Sequence, residues 1–299
     1  MKECCVIGMG YIGLPTALLA ANAGFRVFGI DINKKIVESI NSGVCHIEEP
    51  GINELLKKVR KSGLLSAHLK PVEAEIYIIA VPTPIHEKVC NIPLPNTDFV
   101  FKAIDSILEI IKEESLIIIE STSPTGTSQK IAEYIESRRN FKLNKLRIAY
   151  CPERVIPGDT INEMIHNNRV IGGINEYSIN KAKKFYECFC EGKIITTNAK
   201  TAEMVKLTEN AFRDVNIAFA NELSMICDDL DIDANELIDI ANYHPRVNIL
   251  KPGCGVGGHC IAIDPWFIAA QSPNRSKLIQ TARKVNNEKT RWVITKLKE

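Results

Sequence analysis

A cysteine and an aspartate accompany a glycine-rich stretch near the end of the chain, "KPGCGVGGHCIAIDPWF" at residues 251–267. Gly255, Gly257 and Gly258 precede Cys260, and Asp264 follows it. Closely spaced glycines permit positive φ or a close approach of the backbone to another group. A thiol beside positive charge or backbone amides can act as a nucleophile. A buried structural cysteine is the commoner alternative.

Four polar side chains are spaced so that they share one face of a predicted helix. Residues 200–230 contain no glycine or proline and predict one long helix. The polar residues at i, i+3, i+7 and i+10 are Glu203, Lys206, Asn210 and Arg213. They could form a solvated face, but the rest of the helix is too apolar for an exposed element. A lysine in such a setting can transfer protons, and it would lower the pKa of Cys260 if the helix meets the loop.

The N-terminal segment carries the spacing of a dinucleotide-binding turn. Gly8, Gly10 and Gly13 have the pattern G-x-G-x-x-G between a predicted strand and a predicted helix, and a second strand ends in Asp31. The pyrophosphate would approach the backbone at Gly10 and the helix N-terminus. Asp31 would accept the adenosine ribose hydroxyls and repel a 2′-phosphate. This pattern predicts NAD rather than NADP, against the alternative of a plain glycine-rich turn.

Two further predicted strands end in polar clusters, "AVPTP" at 80–84 and "ESTSPTGT" at 120–127. Ligands of open α/β sheets bind at the carboxyl ends of the strands. Thr83 and Thr122 are therefore candidate residues of the cofactor cleft. The alternative is that they only cap the helices that follow.

Short apolar runs alternate with amphipathic segments through the first two-thirds of the chain. The runs "CCVIG", "RVFGID", "IYIIAVP", "LIIIES", "LRIAYCP" and "NRVIGG" are typical of strands buried on both faces. Helical segments such as 11–23, 97–111 and 127–138 separate them. This predicts a doubly wound parallel Rossmann-type sheet over residues 1–196, followed by an all-helical central domain over 197–299. In that second domain, Asp233 and Glu236 predict a capped helix start.

Composition excludes several classes of protein. The chain has 299 residues, 45% of them hydrophobic, and a formal net charge of +1, which gives no indication of nucleic acid or a membrane surface as partner. No apolar run is long enough to span a bilayer. The ten cysteines, without a secretion signal, are expected to be reduced thiols in the cytoplasm. No C-x-x-C occurs, so we expect no metal site.

Taken in order, the motifs resemble the UDP-glucose/GDP-mannose dehydrogenase family. They are "GMGYIGLP", "AVPTP", "ESTSPTGT", "CPERVIPG", "KLTENAFRDVNIAFANE", "HPRVNIL" and "GVGGHCIAIDPWF". The resemblance covers essentially the whole chain. It implies an NAD-dependent, four-electron oxidation of the C6 alcohol of a sugar nucleotide to a carboxylate. Arg154, in "CPERVIPG", favours the branch that oxidises UDP-N-acetyl-D-mannosamine over the UDP-glucose and GDP-mannose enzymes.

The resemblance also implies roles for individual residues. The catalytic positions are Cys260 as nucleophile, Lys206 as proton donor or acceptor, Asn210 and Asp264 as their companions, and Glu153 and Thr122 near the reacting carbon. The cofactor positions are Gly8, Gly10, Tyr11, Ile12, Gly13, Asp31, Thr83 and Thr122. The substrate positions are Arg154, Val155, Lys206, Asn210, Arg213, His244, Arg246 and Gly257.

Three expectations concern assembly and alternatives. Family chains usually continue into a third, UDP-binding domain, before which this sequence stops, so we expect it to lack that domain. The long helix is expected to form a homodimer interface. The family resemblance agrees, and it implies that Arg246 reaches the neighbouring subunit's site. The alternatives are a β-hydroxyacid dehydrogenase, which shares the fold and a helix lysine but lacks the cysteine, and a non-catalytic NAD-binding or assembly module.

Overall fold

The computed structural model describes residues 2–89, 92–258 and 260–298. The chain divides into two compact units. The first comprises Met1–Thr83 and Asn96–Met204, and the second comprises Pro84–Pro95 and Val205–Glu299. Among the described residues, no helix is long and apolar enough to cross a membrane.

The strands form two separate sheets. They are β1 Glu3–Ile7, β2 Arg26–Ile30, β3 Leu65–His68, β4 Ile76–Ile79, β5 Ile85–Val89, β6 Ile92–Pro95, β7 Leu116–Ile119, β8 Arg147–Tyr150, β9 Arg169–Gly173 and β10 Ile194–Asn198. Eight of them form the sheet of the first unit, in the order β10-β9-β8-β7-β4-β1-β2-β3. β5 and β6 pair as an antiparallel hairpin in the second unit.

Neighbouring strands of the large sheet are parallel except for β8 and β9, which are antiparallel. The continuous apolar runs are buried because helices cover both faces; the four residues of β4 and the four of β7 are all buried. This confirms the predicted Rossmann-type fold. The reversal at β9 has no signal in the sequence, since a buried strand has the same composition in either direction.

The helices of the first unit lie between these strands. They are α1 Gly13–Asn22, α2 Lys34–Ser42, α3 Ile52–Lys61, α4 Asp98–Ile107, α5 Thr127–Arg139, α6 Thr160–His166 and α7 Glu176–Tyr186. α1 follows the glycine turn directly and is buried over nearly its whole length, which fixes the turn against the sheet.

Among the residues that the structure describes, the second unit contains four helices and the hairpin. The helices are α8 Ala199–Asp229, which begins in the first unit, then α9 Ala234–Ala241, α10 Asp264–Gln271 and α11 Lys277–Lys296. The predicted start of α9 is confirmed, because the Asp233 side chain accepts hydrogen bonds from the backbone N–H groups of Asn235 and Glu236. The hairpin, whose strand β6 packs against α10, was not predicted from the sequence.

A buried polar network joins α8 to α11 in the second unit. The Arg283 guanidinium donates to the Asp214 carboxylate at 2.6 Å, and Asn286 donates to the same oxygen at 2.8 Å. Asn221 then donates to the Asn286 side chain at 2.8 Å and accepts from the Gly253 backbone at 2.8 Å. The network thereby ties the glycine-rich loop to both helices.

Candidate active site

The turn between β1 and α1 has the geometry that dinucleotide binding requires. Gly8 has φ +92°, and a Cβ there would lie 2.6 Å from the Ala80 carbonyl oxygen. A Cβ at Gly13 would lie 1.8 Å from the Gly8 carbonyl oxygen. At Gly10, by contrast, a Cβ would meet no atom within 4 Å. Two glycines therefore permit tight packing, and the third leaves open backbone for a phosphate.

Asp31 follows β2 and is held by two backbone amides, one in the glycine turn and one in its own loop. Its carboxylate accepts from the Met9 N–H at 3.0 Å and from the Asn33 N–H at 2.8 Å. These contacts fix the carboxylate beside the glycine turn. Asp31 is only half-buried, so part of its side chain is accessible to a ligand. A fixed anion at this place suits two ribose hydroxyls and disfavours a 2′-phosphate.

We therefore expect Asp31→Ala to weaken NAD binding by about 1–3 kcal/mol, because charged hydrogen bonds to the ribose are lost. Isothermal titration with NAD and NADP measures the effect. Wild-type protein should bind NAD and not NADP. Asn33→Ala is a control that should bind NAD like the wild type, because it keeps the Asp31 carboxylate and the backbone N–H of residue 33. Equal binding of the two dinucleotides by the wild type would contradict the assignment.

Tyr11 connects the glycine turn to the loop before α6. Its hydroxyl donates to the buried Glu49 carboxylate and accepts from the Thr160 hydroxyl at 3.2 Å. Glu49 also accepts from the Gly158 N–H at 2.8 Å. Ile12 precedes α1 and is half-buried. Glu49 was not predicted from the sequence, where it is one of two adjacent glutamates in a loop.

Thr83 and Thr122 lie in loops after β4 and β7, which are adjacent parallel strands. Both residues are half-buried. Ser121 joins the two loops, since its hydroxyl donates to the Val81 carbonyl at 2.7 Å. The two threonines therefore lie at the carboxyl-end edge of the sheet, where open α/β sheets bind their ligands.

Glu153, Arg154 and Val155 follow β8 in the same unit. The Glu153 carboxylate accepts from the Arg169 guanidinium at 3.1 Å and from the Arg154 N–H at 2.7 Å. The Arg154 side chain donates to the Asn168 carbonyl at 3.0 Å. Val155 is half-buried. Glu153 is thus a fixed carboxylate, and its side chain is only 8% exposed.

Glu203 has a structural role that its position on the helix face did not indicate. It is fully buried, and its carboxylate accepts from the Gly126 N–H and from the N–H and hydroxyl of Ser128, the latter two at 2.8 and 2.7 Å. These amides lie at the N-terminus of α5, where a carboxylate offsets unpaired donors and the helix dipole. Glu203 is therefore a helix cap, although it shares the helix face with Lys206 and Asn210.

Asn210 and Asp264 form a buried pair in the second unit. The Asn210 amide donates to the Asp264 carboxylate at 2.6 Å, and Asp264 is 3% exposed. Burial raises the pKa of Asp264 to about 6, although the Asn210 hydrogen bond and the Lys206 charge both lower it. Asp264 also begins α10, followed by Pro265. The pair supplies a carboxyl group that changes charge near pH 6.

Cys260 lies in the turn that leads into α10. Its carbonyl accepts from the N–H groups of Ile263 and Asp264, at 3.0 and 2.8 Å, and the residue is exposed. Desolvation by the surrounding atoms raises the pKa of the thiol, and the Asp264 carboxylate raises it further. The Lys206 ammonium lowers it, as predicted, but does not dominate. The net pKa of the thiol is raised, because desolvation and the Asp264 carboxylate together outweigh the lysine.

The charges around the thiol predict its reactivity. Asp264→Asn should speed alkylation of Cys260 at pH 7, because it removes the carboxylate that raises the thiol pKa, and Lys206→Ala should slow it. Each change is expected to be severalfold. Iodoacetamide labelling with peptide mapping measures both rates, and labelling of Cys188, an exposed thiol in the first unit, is the internal reference. Equal rates in all three proteins would show that these groups do not act on the sulfur.

The glycines of the loop serve different purposes. Gly255 has φ +120°, and a Cβ there would lie 2.3 Å from the Thr290 hydroxyl and 2.9 Å from the Asn286 carbonyl oxygen. Gly258 has φ +83°, and Gly257 borders open space. Gly255 therefore allows the loop to pack on α11, whereas Gly257 leaves room for a ligand.

The remaining predicted substrate residues of the second unit lie at its surface. Arg213, His244, Arg246 and Gly257 are exposed, and Lys206 is half-buried. The His244 ring nitrogen Nδ1 accepts from the Arg246 N–H at 3.3 Å, which fixes the local turn. Their exposure leaves the cationic side chains available to an anionic ligand.

Comparison with known proteins decides the family. The profile "UDP-glucose/GDP-mannose dehydrogenase family, NAD binding domain" matches residues 2–190, and the central domain of that family matches residues 200–288. The chain belongs to the UDP-glucose/GDP-mannose dehydrogenase family. It is therefore an NAD-dependent oxidoreductase of nucleotide sugars, as predicted.

Individual members of the family are similar over the whole chain. The UDP-N-acetyl-D-mannosamine dehydrogenase of Campylobacter jejuni is 50% identical, covering 100% of this chain and 74% of the relative. The solved structure of the UDP-N-acetyl-mannosamine dehydrogenase of Staphylococcus aureus has a TM-score of 0.90 at 42% identity, covering 99% of this chain and 70% of that one. The NDP-N-acetyl-D-galactosaminuronic acid dehydrogenase of Ralstonia nicotianae is 45% identical, covering 98% of this chain and 70% of the relative.

The residues of this family member fit the dinucleotide. The open backbone at Gly10 can receive the pyrophosphate, and the fixed Asp31 carboxylate can accept ribose hydroxyls. Among the described residues, no group of three histidine, cysteine or acidic side chains could hold a metal ion.

Proposed function

We propose that the protein oxidises the C6 alcohol of UDP-N-acetyl-D-mannosamine to the carboxylate of UDP-N-acetyl-D-mannosaminuronate. The cluster of Cys260, Asp264, Asn210 and Lys206 carries the proposal, because it combines an accessible thiol with groups that move protons. The 50% identity to a UDP-N-acetyl-D-mannosamine dehydrogenase supports the choice of sugar.

The first oxidation converts the alcohol to an aldehyde. The Lys206 ammonium stabilises the substrate oxygen while the hydroxyl proton passes to water held by Asp264, and when bound, NAD accepts one hydride in each of the two oxidations. We propose that Thr122 helps to position water and cofactor and that Glu153 lies near the reacting carbon. Asn210 keeps Asp264 oriented through its 2.6 Å hydrogen bond.

The second oxidation uses the thiol. The Cys260 sulfur adds to the aldehyde carbon, and loss of a second hydride from the thiohemiacetal leaves a thioester. Water then attacks the carbonyl carbon, the C–S bond breaks, and the thiolate departs from the carboxylate. One alcohol, one water and two NAD⁺ thus give one carboxylate, two NADH and three protons.

The raised thiol pKa fits this sequence. A neutral thiol in the resting protein resists oxidation and alkylation, and proton removal by a neighbouring base during the reaction generates the nucleophile. Asp264, with a pKa of about 6, is mostly ionised at neutral pH and can accept a proton through water.

The experiment that tests the substrate is a panel of nucleotide sugars assayed by NADH formation. UDP-N-acetyl-D-mannosamine should give the highest kcat/KM, with UDP-glucose, GDP-mannose and an N-acetylgalactosamine nucleotide at least about 100-fold lower. The 45% identity of the Ralstonia enzyme makes the last of these the strongest competitor. Preference for UDP-glucose would contradict the proposal, and NAD binding without any turnover would favour a non-catalytic binding module.

We further propose a homodimer through α8. Phe212, Phe219 and Ile226 follow one another at intervals of seven residues and are 67%, 50% and 47% exposed. Phe212 and Phe219, with Leu278 on α11, line an apolar groove. Heptad-spaced apolar side chains are the pattern by which helices pair. A second copy of this surface would cover them in a two-fold arrangement.

Phe219→Glu should convert the dimer to a monomer at micromolar concentration, because a charge in an apolar interface is costly. Light scattering after size-exclusion chromatography gives the mass of each variant. Val44→Glu, an exposed apolar residue of the first unit at 59%, is the matched control and should stay dimeric. A monomeric wild type would contradict the proposal.

We also place the protein in the cytoplasm. The nine cysteines within the described residues are free thiols, which fits a reducing compartment. Subcellular fractionation with an antibody against the protein tests this, and recovery with membranes after a salt wash would contradict it.

A further inference from the structure

A buried cluster of acids and bases in the first unit has no role in the function proposed above. We call it the Glu120 cluster, and it contains Thr16, Glu120, Cys151, Arg169 and Tyr186. These residues come from α1, the end of β7, the end of β8, β9 and α7. Arg169 also contacts Glu153, so the cluster reaches the carboxylate that we place near the reacting carbon.

Glu120 is the centre of the cluster. It follows β7 directly and is 3% exposed. One carboxyl oxygen accepts from the Tyr186 hydroxyl at 2.7 Å, and the other accepts from the Thr16 hydroxyl at 2.9 Å. No described lysine or arginine forms an ion pair with it. Two neutral hydroxyl donors stabilise the ionised form of a buried carboxyl group only weakly.

Arg169 connects this carboxyl to Glu153. Its guanidinium forms the 3.1 Å ion pair with Glu153 and lies over the ring of Tyr186, with Cζ 4.6 Å from the ring centroid. It also donates to the Cys151 sulfur at 3.6 Å. Its pKa is raised well above its ordinary value by the surrounding acidic groups, despite burial, so the charge is permanent. Arg169 therefore pairs directly with Glu153 and acts on Glu120 through its charge, since both Arg169 and Glu120 contact Tyr186.

Three of the other groups that act on Glu120 stay neutral near pH 7. The groups that face it are Cys4 on β1, Cys151, Glu153, Arg169 and Tyr186. Burial raises the pKa of Cys151 to about 12 and those of Cys4 and Tyr186 well above their usual ranges, so all three stay neutral. Burial also raises the pKa of Glu120 to about 7, although the Arg169 charge lowers it.

We propose that Glu120 is a positioning residue for Glu153, acting through the charge of Arg169. With Glu120 protonated, the Arg169 guanidinium is compensated by the Glu153 carboxylate alone and holds it in place. When Glu120 loses its proton, two carboxylates share the charge of one guanidinium, and Glu153 is held less tightly. Only the part that Glu153 plays in catalysis rests on the proposed function; the coupling between the two acids does not.

The coupling can be measured without activity. The infrared C=O band of a protonated carboxyl group, followed from pH 5 to 9 on the 299-residue protein, reports the Glu120 titration as the component that Glu120→Gln removes. Because coupling is reciprocal, the effect of Glu153 on Glu120 equals the effect of Glu120 on Glu153. Glu153→Gln should move the Glu120 midpoint down by about one pH unit.

Two further variants keep the test decisive. Tyr186→Phe should move the midpoint upward, because it removes a hydrogen bond to the ionised form. Glu203→Gln is the matched control, since Glu203 is another fully buried glutamate of the same unit, and it should leave the midpoint unchanged. A midpoint that Glu153→Gln does not move, or a neutral-range band that Glu120→Gln does not remove, would overturn the proposal.

The kinetic consequence is a separate measurement. For the wild type, kcat with UDP-N-acetyl-D-mannosamine should rise severalfold between pH 6 and 8. Glu120→Gln should keep only the part of this rise, about twofold, that ionisation of Asp264 supplies, while KM for NAD stays within about twofold. An unaltered profile in Glu120→Gln would refute the effect on catalysis. If no nucleotide sugar is oxidised, the proposed function fails, and the infrared titrations still decide whether the two acids are coupled.

Discussion

Cys260→Ser should abolish formation of the uronic acid, with kcat for the complete reaction lowered by on the order of 10³-fold or more. Serine cannot supply the thiolate that captures the aldehyde, and its hydroxyl is far harder to ionise. The first hydride transfer does not need the sulfur. A single turnover should therefore still release NADH before the variant stalls, either at the aldehyde or at a slowly hydrolysed ester.

Cys254→Ala is the matched control, because Cys254 is an exposed thiol of the same glycine-rich loop. Its backbone carbonyl accepts from the Thr290 hydroxyl at 2.8 Å, and alanine preserves that contact. Steady-state NADH assays with product analysis should find Cys254→Ala within about twofold of the wild type. Near wild-type formation of uronic acid by Cys260→Ser would show that the thiol is not the nucleophile.

Asp214→Ala should destabilise the second unit by about 3–5 kcal/mol, because it leaves the Arg283 charge buried without its partner. The Asp214 and Arg283 side chains are 0% and 3% exposed and are joined at 2.6 Å. The same substitution removes an acceptor from Asn286, which belongs to the network that holds the glycine-rich loop. We therefore expect weaker activity as well as lower stability.

The two tryptophans, Trp266 and Trp292, both lie in the second unit, so their fluorescence during urea denaturation reports its unfolding. Asp239→Ala is the control, since the Asp239–Lys251 pair is joined at the same 2.6 Å but is about 60% exposed on both sides. Its loss should cost less than about 1 kcal/mol. Equal losses for the two variants would show that the buried network contributes no more than a surface pair.

The sequence predicted the elements whose pattern is local. Continuous apolar runs identified β1, β2, β4, β7, β8 and β9, and the absence of glycine and proline identified α8. β3 and β10 were missed because "LSAH" and "IITTN" are short and partly polar, as edge strands commonly are. The hairpin of β5 and β6 was missed because prolines interrupt β6 and argue against a strand.

The candidate site was predictable where a residue type alone implies the chemistry. The glycine turn and Asp31 are examples, since their spacing carries the information, whereas the roles of Asn210 and Asp264 came from the family resemblance. The net effect on the Cys260 thiol was not predictable, because it depends on how far each charge lies from the sulfur. Glu203 shows the converse, since helical spacing placed it beside Lys206 while tertiary contacts with the α5 N-terminus determine its role.

The Glu120 cluster could not be recognised from the sequence for a related reason. Its members are far apart in the chain, from Thr16 to Tyr186, and a single glutamate after an apolar run is compatible with a surface position. Only the packing of α1, α7 and β9 around the end of β7 buries the carboxyl group and joins it to Tyr186, whose ring lies under the arginine that pairs with Glu153.

The number of NADH molecules formed per UDP-N-acetyl-D-mannosamine consumed tests the central claim most directly. A limiting amount of the sugar nucleotide, taken to completion with excess NAD, should yield two NADH and one uronic acid, with no free aldehyde. A β-hydroxyacid dehydrogenase shares the fold but performs a single oxidation. One NADH per substrate, with the aldehyde as product, would contradict the four-electron mechanism through Cys260.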